Sequence, residues 1–297
     1  MEEHNDQKKT ILAICYDFDK TLSPDDMQAQ GFIQSVGYEV KKFWEESNGL
    51  ANDNEMDQNL AYMFMMSKGS YGKFIFNKER LKDFGSQVKL FPGVETWFDR
   101  INEYGIGQGI TIEHYIISSG LKEMIEGTTI ADKFTKIYAS SFYFDNAGVA
   151  VWPAQAVNYT NKTQFLFRIE KGVLDVNDQR VNEYFKPSEL RVPFRNMVYI
   201  GDSDTDIPCM KLVNSYGGHS IGGYNQETND KSKVFRMLEE NRIKYFVPAD
   251  YSESSELEQL IKKIIDRTKT NEILESKHYY CVDEKEREVR GRSEEEN

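Results

Sequence analysis

The stretch Ile11-Leu12-Ala13-Ile14-Cys15-Tyr16-Asp17-Phe18-Asp19-Lys20-Thr21-Leu22 is an unbroken apolar run that stops at a pair of aspartates. Continuous rather than alternating apolarity suits a strand covered on both faces, as in a parallel sheet. The same design recurs further along. Tyr115-Ile116-Ile117 runs into Ser118-Ser119-Gly120, and Met197-Val198-Tyr199-Ile200 runs into Gly201-Asp202-Ser203-Asp204-Thr205-Asp206. Gly217 to Ile221 and Tyr245 to Val247 read as two further strands.

Between these strands lie segments with helical spacing. Phe91-Pro92-Gly93 introduces Val94, Trp97, Phe98 and Ile101. Asn161 to Lys171, Lys231 to Asn241 and Glu253 to Thr268 follow, the last with Leu257, Leu260, Ile261, Ile264 and Ile265 on one face. Strands that alternate with helices imply an α/β fold with a doubly wound parallel sheet. Phe142–Phe144 and Val149–Trp152, around Asp145-Asn146-Ala147-Gly148, read as a hairpin.

Residues 24–90 break the alternation. Gln28 to Trp44 and Met56 to Met66 have helical spacing, with Phe32, Ile33, Val36, Val40, Phe43 and Trp44 on one broad face and glycines near 49, 69 and 72 as breaks. This segment reads as a helical insertion, with Met63, Phe64, Met65 and Met66 as core, and with Lys68 and Tyr71 as solvated loop residues. The residues before Lys9 read as a loose tail, and the charge run KEREVRGRSEEEN as a solvated or disordered one.

The chain has 297 residues, 39% hydrophobic and 29% charged, which suits a globular protein. Its net charge of -12 argues against nucleic acid as a partner. No run is long enough to span a membrane, and Ile11–Tyr16 is too short for a signal-peptide core. Cys15, Cys209 and Cys281 form no CxxC pair or metal-ligand spacing. Cys15 reads as a buried small hydrophobe, and a reducing, cytoplasmic location is expected.

In doubly wound sheets, ligands bind beyond the C-terminal ends of the strands. There the sequence places Asp17, Asp19, Ser118, Ser119 and Asp202, with Lys162 at the start of a helix. That set matches phosphoryl transfer. A hard cation such as Mg²⁺ takes oxygen ligands, which Asp17 and Asp202 can supply. A carboxylate can attack phosphorus, and a second one two residues on can protonate the leaving oxygen and then activate water. Ser118 and the backbone N–H of Ser119 can hold phosphate oxygens, and Lys162 can offset repulsion between carboxylate and phosphate. Asp204 reads as a helix cap.

Asp17-Phe18-Asp19-Lys20-Thr21-Leu22, Ile117-Ser118-Ser119-Gly120, Lys162 and Gly201-Asp202-Ser203-Asp204-Thr205-Asp206 together resemble, in order, the four motifs of the haloacid dehalogenase superfamily, over roughly residues 10–265. The insertion after the first motif is similar to the helical cap of phosphoserine-phosphatase-like members. The resemblance implies a Rossmann-like core domain at 1–23 and 91–268, a small cap domain at 24–90 and a charged tail at 269–297. It implies Asp17 as nucleophile and metal ligand, Asp19 as acid/base with its carbonyl on Mg²⁺, and Asp202 as a metal ligand. Ser118, Ser119 and Lys162 would bind phosphate, with Thr21 and Asp206 in support. Asp26 falls where phosphoserine phosphatases carry a glutamate that recognises the substrate amino group. Their cap arginine has no counterpart here before Arg80. The expected activity is Mg²⁺-dependent hydrolysis of a small-molecule phosphate monoester through an aspartyl-phosphate. A phosphotransferase using the same intermediate and a silent binding protein of the same fold are the alternatives.

Overall fold

The computed structural model describes residues 9–295, with side chains described through position 290; the expected loose tail before Lys9 lies outside the described residues. A seven-stranded sheet in the order β4-β3-β2-β1-β5-β6-β7 forms the centre. Its strands are β1 (Ile11–Tyr16), β2 (Thr111–Leu121), β3 (Lys136–Phe144), β4 (Ala150–Gln155), β5 (Met197–Gly201), β6 (His219–Tyr224) and β7 (Tyr245–Pro248). Every pairing is parallel except the β3–β4 hairpin. β1 sits between β2 and β5, and Leu12 through Tyr16 are fully buried. Its continuous apolarity therefore reflects cover on both faces.

The faces carry different clusters. Ala13 and Cys15 pack with Tyr199, Phe165, Met210 and Ile117 on one side. There lie α7 (Thr163–Lys171) and α8 (Ile207–Ser215). Ile14 and Tyr16 point the other way, towards Trp97, Phe98, Leu257 and Ile261. These come from α5 (Val94–Gly107) and α10 (Glu256–Glu295). α9 (Ser232–Glu239) completes the helical cover, and the short α6 (Lys122–Ile125) follows β2.

The insertion holds α1 (Phe32–Ser35), α2 (Val40–Asp53), α3 (Gln58–Ser70) and α4 (Lys78–Gly85). The expected segment from Gln28 to Trp44 is a 3-10 turn at Met27–Ala29 followed by α1 and the start of α2, because Gly31 and Gly37, at φ +132° and +77°, turn the chain between them. Gly49 and Gly69 lie inside α2 and α3 and break neither, whereas Gly72, at φ +73°, lies beyond the end of α3. Lys68 belongs to α3 rather than a loop; it is exposed and sits over the Phe64 ring. Phe64 is itself exposed, unlike buried Met63, Met65 and Met66. The insertion shares one apolar cluster with the sheet: Phe32, Met63 and Met66 join Phe18, Leu22 and Phe142.

Two further expectations change. β2 does not stop at Ile117 but continues to Leu121 with a register shift between Ser118 and Leu121. The charged C-terminal run is helical, since α10 is continuous through Glu295. It is largely solvated from Lys269 to Arg290, which agrees with the solvated reading of this segment. Among the described residues, no helix is long and apolar enough to cross a membrane.

Candidate active site

β1 ends where its hydrogen bonding does. The Asp17 N–H donates to the Ile200 carbonyl of β5 at 3.0 Å, and the chain then turns, with the Phe18 carbonyl accepting from the N–H groups of Thr21, Leu22 and Ser23. Lys20 occupies the left-handed region at φ +59°, which tightens this turn. Thr21 is buried and its carbonyl accepts from the Tyr251 hydroxyl at 2.9 Å, although its own hydroxyl has no protein partner. The turn thereby brings Asp17 and Asp19 to the C-terminal edge of the sheet.

Lys162 caps the start of α7, and its side chain runs inward to full burial. Its ammonium lies 3.3 Å from Asp17 Oδ2 and 2.8 Å from Asp206 Oδ1. Burial lowers its pKa, but the two carboxylates more than offset this and hold it above the ordinary lysine value. Asp206 is saturated. Its Oδ1 accepts from Lys162 and from the Tyr199 hydroxyl at 2.8 Å, and its Oδ2 accepts from the Ser203 N–H and hydroxyl. Gly201 makes room for it: a Cβ there would lie 2.6 Å from Asp206 Oδ2. Ser203 and Asp206 form a capping box, so Asp204 is not the cap it was read as; it is exposed and paired with Arg236 at 2.9 Å.

Asp17, Asp202 and Asp206 offer carboxylate oxygens all within 4.8 Å of one another. Burial raises the Asp17 pKa, helped by Asp206 and opposed by Lys162 and Ser118, to about 6. Burial, with Asp206 and Asp17, raises Asp202 to about 7. Asp19 is pushed well above its usual value by desolvation and then by Asp26 and Asp17. The cluster holds more negative charge than Lys162 can offset, and Asp206 has no free lone pair facing it. A divalent cation fits this donor set, with Asp17 and Asp202 as the side chains free to hold it.

Ser118 is buried; its Oγ accepts from the Gly120 N–H at 3.1 Å, and its hydroxyl favours the charged form of Asp17 by hydrogen bonding. The Ser119 hydroxyl has no protein partner. The bulge in β2 gives Ser118, Ser119 and Gly120 loop-like freedom inside a strand. Gly120 lets Met27 and Asp19 approach, since a Cβ would lie 2.3 Å from Met27 Cε and 3.1 Å from Asp19 Oδ2. The insertion reaches the same place. The Met27 N–H donates to Asp19 Oδ1 at 2.8 Å, and the Tyr62 hydroxyl donates to the Ser119 carbonyl at 2.8 Å. Asp26 does not face the carboxylate cluster freely; its Oδ1 is bound by Lys20 Nζ at 2.8 Å. Tyr199, Met27 and Tyr62 are the site residues that sequence reasoning missed. Each reads as an ordinary core residue in its own segment, and nothing in local periodicity marks it.

A sequence model described as haloacid dehalogenase-like hydrolase matches residues 14–211, and the chain belongs to that family. It is 26% identical over 278 residues to an uncharacterized protein of Borreliella burgdorferi, covering 84% of this chain and 95% of that one. Among solved structures it is similar to a substrate-bound phosphoserine phosphatase complex, with a TM-score of 0.54 and 14% identity over 86% of this chain and 99% of that one. A probable phosphoserine phosphatase from Vibrio cholerae gives a TM-score of 0.56 and 12% identity over 89% of this chain and 69% of that one. At such identities the likeness is one of fold.

Proposed function

We propose that this haloacid dehalogenase-like hydrolase is a phosphatase that cleaves small-molecule phosphate monoesters through a phosphorylated Asp17. The observation that carries the reading is the buried Lys162 ammonium, 3.3 Å from Asp17 and fixed by Asp206 at 2.8 Å. A carboxylate repels an incoming phosphate, and a preorganised cation beside it offsets that repulsion where charge develops. Bound Mg²⁺ would supply further neutralisation of the phosphate, held by Asp17, Asp202 and the main-chain carbonyl of Asp19.

A carboxylate oxygen of Asp17 bonds to phosphorus as the bond to the leaving oxygen breaks. Asp19, whose raised pKa favours the protonated form, gives its proton to that oxygen. The Asp19 carboxylate then takes a proton from water, the water oxygen bonds to phosphorus, and the Asp17–phosphorus bond breaks to release inorganic phosphate. Ser118 and the Ser119 N–H hold phosphoryl oxygens throughout. Residues 24–90 act as the cap, closing over the core domain through Met27 on Asp19 and Tyr62 on Ser119.

Hydrolysis of an aryl phosphate, with and without Mg²⁺ and beside Asp17→Asn, tests this. The rate should require the metal and fall at least about 1,000-fold in the variant. Turnover that survives the substitution overturns the assignment of Asp17.

A further inference from the structure

A cavity of about 370 Å³ opens between the turn from α2 to α3 and the strand-end loops that carry the proposed phosphate site. Its walls include Glu55, Asp57, Asn59, Ser119, Asn158 and Thr205. Ser119 lies near the end of β2 and Thr205 in the turn after β5, so the cavity abuts the place where a leaving alcohol would emerge.

The wall is fixed by cross-links between the insertion and the loop before Lys162. Asp57 Oδ1 accepts from the Asn59 and Leu60 N–H groups, and its Oδ2 accepts from Asn158 Nδ2 at 2.6 Å. Asn59 Nδ2 donates to the Val157 carbonyl at 2.6 Å. The cavity is therefore preformed rather than assembled by a ligand.

Its charge is one-sided. Glu55 and Asp57 line it, and none of the lining residues is a lysine or arginine. Four cations on or beside the strand-end loops have carboxylate partners. Lys162 binds Asp17 and Asp206, Lys20 binds Asp26, Lys233 lies 3.8 Å from Asp202, and Arg236 lies 2.9 Å from Asp204. A carboxylate on the leaving group would meet two like charges and no cation among the lining residues. Hydroxyl or ammonium groups would instead find carboxylate, amide and hydroxyl acceptors.

We propose that this cavity receives the alcohol half of the substrate and selects phosphate esters of alcohols that bear hydroxyl or ammonium groups and no carboxylate. The inference rests on the phosphatase reading above.

Matched substrates test it with the full chain and Mg²⁺. O-Phosphoserine carries one carboxylate that O-phosphoethanolamine lacks, and 3-phosphoglycerate carries one where glycerol 3-phosphate has a hydroxymethyl group. The carboxylate-free member of each pair should show at least about a tenfold higher kcat/KM. Which pair is turned over faster separates ammonium from hydroxyl recognition. Glu55→Lys, which places a cation at an exposed wall position, should narrow the phosphoethanolamine-to-phosphoserine ratio. Equal or faster hydrolysis of the carboxylate-bearing members overturns the inference and leaves the phosphatase reading standing, as does a ratio that Glu55→Lys leaves unmoved. Absence of turnover on every ester, an aryl phosphate included, overturns the phosphatase reading and this inference with it.

Discussion

Tyr16 and Asp17 are neighbours in sequence, yet they anchor two buried polar clusters of opposite character. On one face of β1, Trp97 Nε1 donates to the Tyr16 hydroxyl at 2.8 Å, and that hydroxyl donates to His114 Nδ1 at 3.0 Å. His114 Nε2 then donates to Asn102 Oδ1 at 3.0 Å. The chain closes with a neutral imidazole and no group left over. On the other face, Asp17, Asp202 and Asp206 crowd together with one buried lysine, Lys162, between Asp17 and Asp206. Burial opposes charge in both places. The first cluster answers by being neutral and fully hydrogen-bonded. The second holds an excess of carboxylates, which raises the pKa of Asp17 and Asp202 and which a bound cation would relieve. What separates a structural polar core from a candidate site here is the imbalance rather than burial or the number of polar atoms.

Lys162→Met attacks the charged cluster where it is most dependent on a single group. Leaving Asp17 and Asp206 without their buried counter-charge should cost about 3–5 kcal/mol of stability. Activity should fall about 100-fold or more, because phosphate then meets an unscreened carboxylate. Denaturant unfolding alongside an aryl phosphate assay reads both, and a variant that keeps its stability and rate would remove the distinction drawn here.

The neutral cluster should declare itself through pH. Burial lowers the His114 pKa from its ordinary 6.5 to about 3. The unfolded chain therefore binds a proton that the folded one refuses across that window. The stabilisation is complete above pH 6.5 and declines as pH falls, by about 1.4 kcal/mol per unit. Subtracting the unfolding profile of His114→Gln from that of the parent isolates this slope from the carboxylates and from His219. A flat difference between pH 6.5 and 4 would mean that His114 carries a charge in the fold.

Tyr16→Phe gives the smallest effect and the sharpest contrast with Lys162→Met. It strands Trp97 Nε1 and His114 Nδ1 in the interior, at a cost of about 1–3 kcal/mol. Turnover should be unchanged although the substitution adjoins Asp17. A large loss of kcat with little loss of stability would show that the two faces of β1 are coupled.

Periodicity and residue type alone determined much of this protein. Unbroken apolar runs marked β1 and β5, and the polar residues that halt them marked the edge of the candidate site, because ligands of such sheets bind beyond the strand ends. The order of Asp17, Ser118, Lys162 and Asp202 was equally legible, since each follows a recognisable strand or opens a recognisable helix. Tertiary structure alone decided how these residues meet. Lys162 reaches Asp17 because β1 lies between β2 and β5 and α7 packs on the face shared with Tyr199. Asp206 turns back on Lys162 because Gly201 leaves room. The bend at Gly37, the bulge at Ser118 to Leu121 and the cavity beside Ser119 likewise depend on contacts between distant segments. Local patterning fixes which face of an element is buried, but strand order, register and close approach are set by partners far along the chain, and no window of sequence contains both sides of such a contact.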